Sequence, residues 1–478
     1  MNKVSMKAAR TARLLPLAAA LLLAGCSSLA PDYVRPELPV ADELQAQPGA
    51  QAEGLSAQPA AQVPWQDFIR DERLAQLIRL ALNSNRSLRE TLADVEAARA
   101  SYRIQRADLY PEIDADLSGS RSKASGEISN SYSAEAGLSS YEIDLFGKNR
   151  SLTEAEMETW LASEETAKAA RITLIGEIAS AWLTLAADRN LLTLAEETAE
   201  NAKVTLAITR KRVELGVDSR VDLADAETIY HSARVDVASY TTQVNQDINA
   251  LRLLVGEGFD DSLLAQTLPE SDELVTAVPA GLSSEVLLQR PDVQAAEHEL
   301  KSANANIGAA RAAYFPSLSL TAAGGVASSV LADIFTGGAS SIWSIAPTLT
   351  LPIFDGGAND AGLEYAKAQQ KKYLAAYEYA IQSAFSEVAD ALARRATIQQ
   401  QLEAQQALVD AARRSYELSF ARYQRGVDSF QTALEAQRTL YSAEQTLIST
   451  RQIDLENRIT LYRVLGGGLA EDTEVTDS

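Results

Sequence analysis

Few residues in this chain are equipped for chemistry. There is one cysteine, Cys26, and there are two histidines, His231 and His298, among 478 residues. A lone cysteine forms no internal disulfide and no cysteine-based zinc cluster. The histidines fall on helix-like stretches in different halves of the chain, with no second ligand or nucleophile at useful spacing. Neither is expected to be catalytic or metal-bound. Gly466-Gly467-Gly468 lacks the lysine of a phosphate-binding loop and reads as a helix stop. Asp plus Glu is 65 and Lys plus Arg is 43, a formal charge of −22. Nucleic acid is an improbable partner for such a chain, because a basic face must replace its counterions. No enzyme activity and no dissociable cofactor is expected.

Cys26 needs a setting, and the residues before it supply one. Lys3, Lys7, Arg10 and Arg13 precede an apolar run over residues 14–23, and no acid occurs before Asp32. This is the pattern of a secretory signal, too short to span a membrane. It ends in Leu23-Ala24-Gly25-Cys26, which resembles a bacterial lipobox. The expectation is a signal peptide over 1–25 and a mature chain that starts at Cys26 carrying N-acyl and S-diacylglycerol lipid. Ser27 in place of Asp implies sorting to the outer membrane. Residues 26–63 carry Pro31, Pro36, Pro39, Pro48 and Pro59, which forbid a regular helix, and read as an extended lipidated tether. Residues 469–478 read as an acidic tail.

The body between is one unit written twice. Leu215-Gly216-Val217-Asp218-Ser219 matches Arg425-Gly426-Val427-Asp428-Ser429 at an offset of 210 residues. Leu109-Tyr110-Pro111 matches Tyr314-Phe315-Pro316, and Ile143-Asp144-Leu145-Phe146 matches Leu351-Pro352-Ile353-Phe354. Repeats are therefore expected over 64–262 and 263–468. In each, a stretch of about 67 residues has no proline and a single glycine, Gly176 or Gly362. As helix it would run roughly 100 Å. The expected long helices are about 148–215, 219–255, 358–425 and 429–465. Apolar stripes at Leu174, Ile178, Ala181, Leu185 and at Ile172, Ile175, Ala179, Trp182 suit a bundle or a cylinder of helices equally.

Strict alternation marks four strands, about 112–122, 131–146, 317–326 and 341–354. In the second, the apolar phase flips after Leu138 and resumes at Tyr141, which predicts a bulge or bend near Ser139-Ser140. Gly- and Ser-rich stretches at 119–131 and 324–341 are expected to be hairpin loops. Four strands cannot close a barrel, and open edges in lipid cost several kcal/mol per unpaired group. Either three copies pool twelve strands, or the sheet packs on helices in water with Asp114, Asp116 and Glu135 as its wet face.

The lipobox and the repeated strand-strand-helix-helix unit resemble the TolC-type outer-membrane efflux family, closest to its lipidated NodT-like branch. The likeness rests on Tyr110-Pro111, Tyr141-Glu142-Ile143-Asp144-Leu145-Phe146-Gly147, Gln289-Arg290-Pro291-Asp292-Val293, Phe315-Pro316-Ser317-Leu318, Leu351-Pro352-Ile353-Phe354-Asp355-Gly356-Gly357, Arg422-Tyr423-Gln424-Arg425-Gly426 and Leu465-Gly466-Gly467-Gly468. It implies a mainly α fold with a β-barrel part: a homotrimeric 12-stranded outer-membrane barrel continued by a periplasmic α-helical barrel with an α/β equatorial collar. Segments near 64–82, 256–290 and 465–478 would form the collar. The implied function is the outer-membrane channel of a tripartite efflux system. It would pass drugs or other small toxic compounds from a periplasmic membrane-fusion adaptor and an inner-membrane resistance-nodulation-division pump. A type I protein-secretion duct and a coiled-coil lipoprotein spacer are the alternatives. By the same resemblance the adaptor meets two helical tips, Arg212, Gly216, Asp218, Ser219, Asp222 and Arg422, Gly426, Asp428, Ser429. Gly216 and Gly426 can take the left-handed conformation that ends a helix, and Asp218 or Ser219 and Asp428 or Ser429 can cap the next. Tyr416, Glu417, Phe420 and Tyr423 are the candidates for a periplasmic aperture, with Phe420 where some relatives carry an acid.

Overall fold

The computed structural model describes residues 28–41, 55–56, 63–276, 278–279 and 284–468. Cys26, the signal segment and the acidic tail lie outside the described residues. Helices α1 (Glu72–Ser84) and α2 (Arg86–Ala107) precede strands β1 (Asp114–Ala124) and β2 (Glu127–Ile143). Then come α3 (Lys148–Glu214), α4 (Arg220–Val255) and α5 (Pro291–Ala312). Strand β3 (Ser317–Ser328), the short α6 (Leu331–Thr336) and β4 (Ser340–Thr350) follow, then α7 (Ala358–Gln424) and α8 (Phe430–Val464).

The chain forms two compact units that cut across the repeats. One takes the chain up to Glu37 with Ala93–Glu165 and Gln294–Tyr379; the other takes Leu38–Leu92, Thr166–Val293 and Ala380 onward. Each unit thus collects equivalent parts of both repeats, because strands and helices of one copy pair with those of the other.

The first unit holds a four-stranded antiparallel sheet in the order β1-β2-β3-β4. The expected bulge is present: the β2–β3 register shifts between Leu138 and Tyr141, and Ser140 takes φ +54°. The expected loops are much shorter than composition suggested. β1 and β2 pair continuously out to Ala124–Glu127, leaving a two-residue turn, Ser125-Gly126, with φ +53° and +93°. Positive φ at both positions is the I′ geometry that suits a twisted hairpin. Ser118 and Ser133, and Ser122 and Ser129, bond across the strands at 2.8 Å, so serines that looked like loop are strand. The second loop contracts to 329–339 and contains α6. β4 stops at Thr350, four residues before the expected end, at Pro352.

One sheet face carries Asp114, Asp116, Ser118, Ser120 and Ser122, paired with Gly137, Glu135, Ser133, Ser131 and Ser129. The other carries Leu117 with Ala134, Leu318 with Leu349, Ala322 with Ile345 and Gly324 with Trp343. Leu117, Trp343, Ile345 and Leu349 are all exposed, and so is every residue of β1. Gly137 and Gly325 mark a close approach of β2 and β3: a Cβ would fall 2.3 Å from the Ala322 carbonyl oxygen or 2.2 Å from that of Ala134.

The second unit has the conventional core. Trp65, Phe68, Leu74, Leu77 and Ile78 are buried with Ile178, Trp182, Leu183, Leu185, Leu251 and Leu264. The middle of α3 is apolar enough to pass for a membrane span, yet over half of that window is buried inside the chain. Phe68 stacks on Tyr462 at 3.9 Å, Trp182 Nε1 donates to the Leu263 carbonyl at 3.0 Å, and the Tyr462 hydroxyl donates to that of Val63 at 2.6 Å. Of the segments assigned to a collar, 64–82 and 256–290 are in contact: the Arg70 N–H donates to the Leu274 carbonyl and the Thr276 N–H to that of Phe68, both at 2.8 Å. Arg290 explains one quoted motif. Its buried guanidinium donates to Asp292 at 2.7 Å, Glu387 at 2.8 Å and the Val464 carbonyl at 3.1 Å, while Pro291 opens α5.

Candidate functional site

Both tips are built from the same parts. At the end of α3, the Gly216 N–H donates to the Val213 carbonyl and the Val217 N–H to that of Arg212. At the end of α7, Gly426 donates to Tyr423 and Val427 to Arg422. This is the Schellman closure, and it requires Gly216 and Gly426 at φ +71° and +73°. Each tip then closes an ion pair across six residues, Arg212 with Asp218 at 2.8 Å and Arg422 with Asp428 at 2.9 Å.

From there the tips diverge. Ser219 caps α4 in a full capping box, accepting from the Asp222 N–H while the Asp222 carboxylate accepts from Ser219. Ser429 occupies the same place before α8 but makes no cap bond to backbone; its Oγ sits 3.2 Å from Thr432, which stands where the first tip has Asp222. Neither Asp218 nor Asp428 serves as the cap. Asp218 instead accepts a 2.6 Å hydrogen bond from the Tyr423 hydroxyl, and the Arg212 guanidinium lies 5.0 Å from the Tyr423 ring. Burial alone would raise the Asp218 carboxyl, but Arg212 and Tyr423 outweigh it and hold it below the usual range. The Asp428 carboxyl is lowered too, by Arg422, but that pair is solvated.

Tyr423, one of the four aperture candidates, is enclosed within the chain itself. It is 4 % exposed, in a cluster with Leu206, Ala226, Phe430, Ala433 and Leu434. A single helix pattern could not reveal this, because the atoms that bury it come both from the neighbouring α8 and from the other helix pair. Phe420 packs on the same cluster and stacks at 5.7 Å on Tyr416, while Glu417 is exposed. Around these, Leu215, Val217, Val221 and Val427 present apolar side chains to solvent. His298 Nδ1 lies 2.6 Å from Glu158 in the first unit, and His231 sits beside Tyr230 in the second.

An antiparallel sheet with an exposed apolar face and helices of 67 residues that end in matched turns are the parts from which a membrane channel is built. The family model described as outer membrane efflux protein matches residues 77–257 and 282–467, and the chain belongs to that family. It is 44 % identical over 471 residues to the antibiotic efflux pump outer membrane protein ArpC of Pseudomonas putida, covering 97 % of both chains. The toluene efflux pump outer membrane protein TtgC of Pseudomonas putida is also 44 % identical, with 97 % of both chains covered. The crystal structure of the open state of the Neisseria gonorrhoeae MtrE outer membrane channel is similar at TM-score 0.83 and 38 % identity, covering 94 % of this chain and 100 % of that one. The chain is an outer-membrane channel of a tripartite efflux system of a Gram-negative bacterium.

Proposed function

We propose that three copies form the working channel, their sheets closing a 12-stranded barrel and their long helices a periplasmic tube. One observation carries this reading: in a single chain β1 and β4 are open edges and both are exposed along almost their whole length. Unpaired edges cannot persist in lipid, so each must meet its counterpart on a neighbouring copy. The apolar face then meets lipid, and the face with Asp114, Asp116 and Glu135 lines a wet lumen. The transported compounds are small toxic molecules of the kind for which the relatives are named, antibiotics and toluene. Cys26 carries the lipid. The tips dock a periplasmic adaptor through Leu215, Val217, Val221 and Val427, whose exposure in water is otherwise unfavourable. Tyr416, Glu417 and Phe420 remain the aperture candidates.

Purified protein tests the assembly. Heat-resistant trimers with single-channel conductance in planar bilayers are expected; a monomer without conductance refutes it. Val217→Asp with Val427→Asp should abolish adaptor capture while conductance is kept. Phe420→Ala should raise conductance, and an unchanged value removes Phe420 from the aperture.

A further inference from the structure

The two repeats build one junction twice and fill it differently. Where α4 ends against the start of α2, Asn85 Nδ2 donates to the Leu254 carbonyl at 2.7 Å. Where α8 ends against the start of α5, the Arg290 guanidinium donates to the Val464 carbonyl at 3.1 Å. These are equivalent places, Asn85 with Arg290 and Leu254 with Val464, in the register that matches Gly256 with Gly466. The same register sets Glu177 of α3 on Glu387 of α7, within Ile175-Gly176-Glu177-Ile178-Ala179 and Phe385-Ser386-Glu387-Val388-Ala389. In the second repeat the arginine completes the junction, reaching Glu387 at 2.8 Å and Asp292 at 2.7 Å. In the first, Asn85 is short and neutral. Its oxygen accepts from the Leu88 N–H at 2.8 Å, and Ser87 stands in place of Asp292. Glu177 keeps its carboxylate, yet among the described residues it has no ion pair and no hydrogen-bonded partner.

At that place a groove of about 1010 Å³ is left between the start of α2, one face of α3 and the end of α4. Ordinary small-molecule sites have volumes of roughly 300–1,000 Å³. Its walls are largely apolar, formed by Leu88, Leu174, Leu253, Ala169 and Ala170, and Leu253 is 79 % exposed. The lining carries three acids, Glu90, Glu177 and Glu257, against Arg86 and Arg252, and Arg252 is drawn to Asp261 at 3.4 Å. An unpaired carboxylate on an apolar wall suits a cation with an apolar body and disfavours an anion.

The groove occupies a definite side of α3. Thr166, Ala170, Thr173 and Glu177 follow a 4-3-4 spacing on one face. Ile175, Ile178, Trp182 and Leu185 follow a 3-4-3 spacing on the opposite face and are buried, with Trp182 bonded to the Leu263 carbonyl and under Arg73 of α1. In the proposed tube the collar segments lie outside the helices, so the groove opens toward the lumen.

We propose that this groove binds small cations: molecules with one guanidinium or ammonium group on an apolar body. The charge meets Glu177 as Arg290 meets Glu387, and the body lies on Leu88, Leu174 and Leu253. The lumenal position rests on the trimeric-tube reading. Binding itself does not, because a single chain supplies every wall. One such molecule is held per chain on its way through the channel.

Full-length protein in detergent, titrated calorimetrically with phenethylguanidinium and with its neutral analogue phenethylurea, tests the site. Saturable binding of the guanidinium at one per chain is expected, and none of the urea. Glu177→Gln should weaken binding about tenfold or more, the effect of losing a hydrogen bond to a charged group. Asn85→Arg, which gives the first repeat the filling of the second, should abolish it. If Asn85→Arg lowers the melting temperature, the exposed Glu177→Gln carries the comparison. No binding to the parent, equal binding of the urea, or unchanged affinity in Glu177→Gln overturns the site. Binding at one per chain in a preparation that runs as a monomer supports the groove and refutes only the trimer. The lumenal position is read in planar bilayers, where Thr173→Cys modified by a trimethylammonium-ethyl methanethiosulfonate should change the single-channel conductance. An unchanged conductance after complete modification overturns that placement.

Discussion

Replacing Tyr423 by phenylalanine removes the one hydroxyl that reaches from α7 to Asp218 of the first tip and changes little else. The bond lost is 2.6 Å long, from a phenol that is 4 % exposed to a carboxylate whose side chain is 7 % exposed. Hydrogen bonds to charged groups contribute about 1.5–3 kcal/mol. Asp218 keeps Arg212, so the low end, about 1.5–2 kcal/mol, is expected. Each 1.4 kcal/mol is tenfold in an equilibrium, so local opening of the tip should become roughly 10- to 30-fold more frequent. Amide hydrogen exchange reads this directly, in peptides covering 205–222 and 418–432. The second tip supplies an internal control. It carries the same arginine–aspartate pair, but Val213 stands in the repeat where Tyr423 stands, and Arg422 and Asp428 are in solvent. Asp428→Asn should therefore leave exchange almost unchanged. The reasoning fails if Tyr423→Phe leaves tip protection intact, or if the loss is equally large around Trp182, which would signal general destabilisation.

The Asp188–Asp247 pair predicts a pH dependence. Burial, then the charge of Asp188, pushes Asp247 up to about 7. An unfolded carboxyl ionises near 4, so between those values the folded chain holds a proton that the unfolded chain has released, and stability falls as pH rises. Asp247→Asn should flatten that fall in thermal melts between pH 5 and 8. Gly137→Ala drives a Cβ against the Ala322 carbonyl oxygen, and should cost about 2 kcal/mol or more and lower the yield of heat-resistant trimer in outer-membrane fractions. Arg290→Ala breaks two bonds that tie the start of α5 to α7 and to the end of α8, and a third to Asp292, and should destabilise the second unit by about 2–4 kcal/mol by chemical denaturation.

Much of the architecture was legible because proline and glycine punctuate it. The long helices end within a residue or two of the expected positions, at Gly216, Gly256, Gly426 and Gly466, all with positive φ. The phase flip at Ser139-Ser140 was equally readable, since a bulge is the only way to keep both halves of β2 on one apolar face. What failed were inferences from composition. Serine and glycine over 119–131 looked like loop, yet cross-strand hydroxyl pairs let the hairpin run to a two-residue turn. The prolines over 31–39 do forbid helix, but they did not disclose that the chain just before them lies against α5, where a Cβ on Gly308 would fall 2.7 Å from the Ala30 nitrogen; Gly308 inside a helix was the one available signal. The burial of Tyr423 was not legible because part of it is set by residues some 200 positions away, Leu206 and Asp218 among them, beside Phe430 on the next helix.

In the proposed barrel the hairpin ends of the sheet would face the exterior of the cell, and they differ in a way that matters there. One connection is the bare Ser125-Gly126 corner; the other, 329–339, is a small helical knob bearing Val330, Leu331 and Phe335, all exposed. In that orientation an antibody or a phage approaching the bacterial surface would find this knob as the sizeable landmark among the described residues of the sheet. That knob is the natural place for an inserted epitope, because lengthening it disturbs no strand pairing.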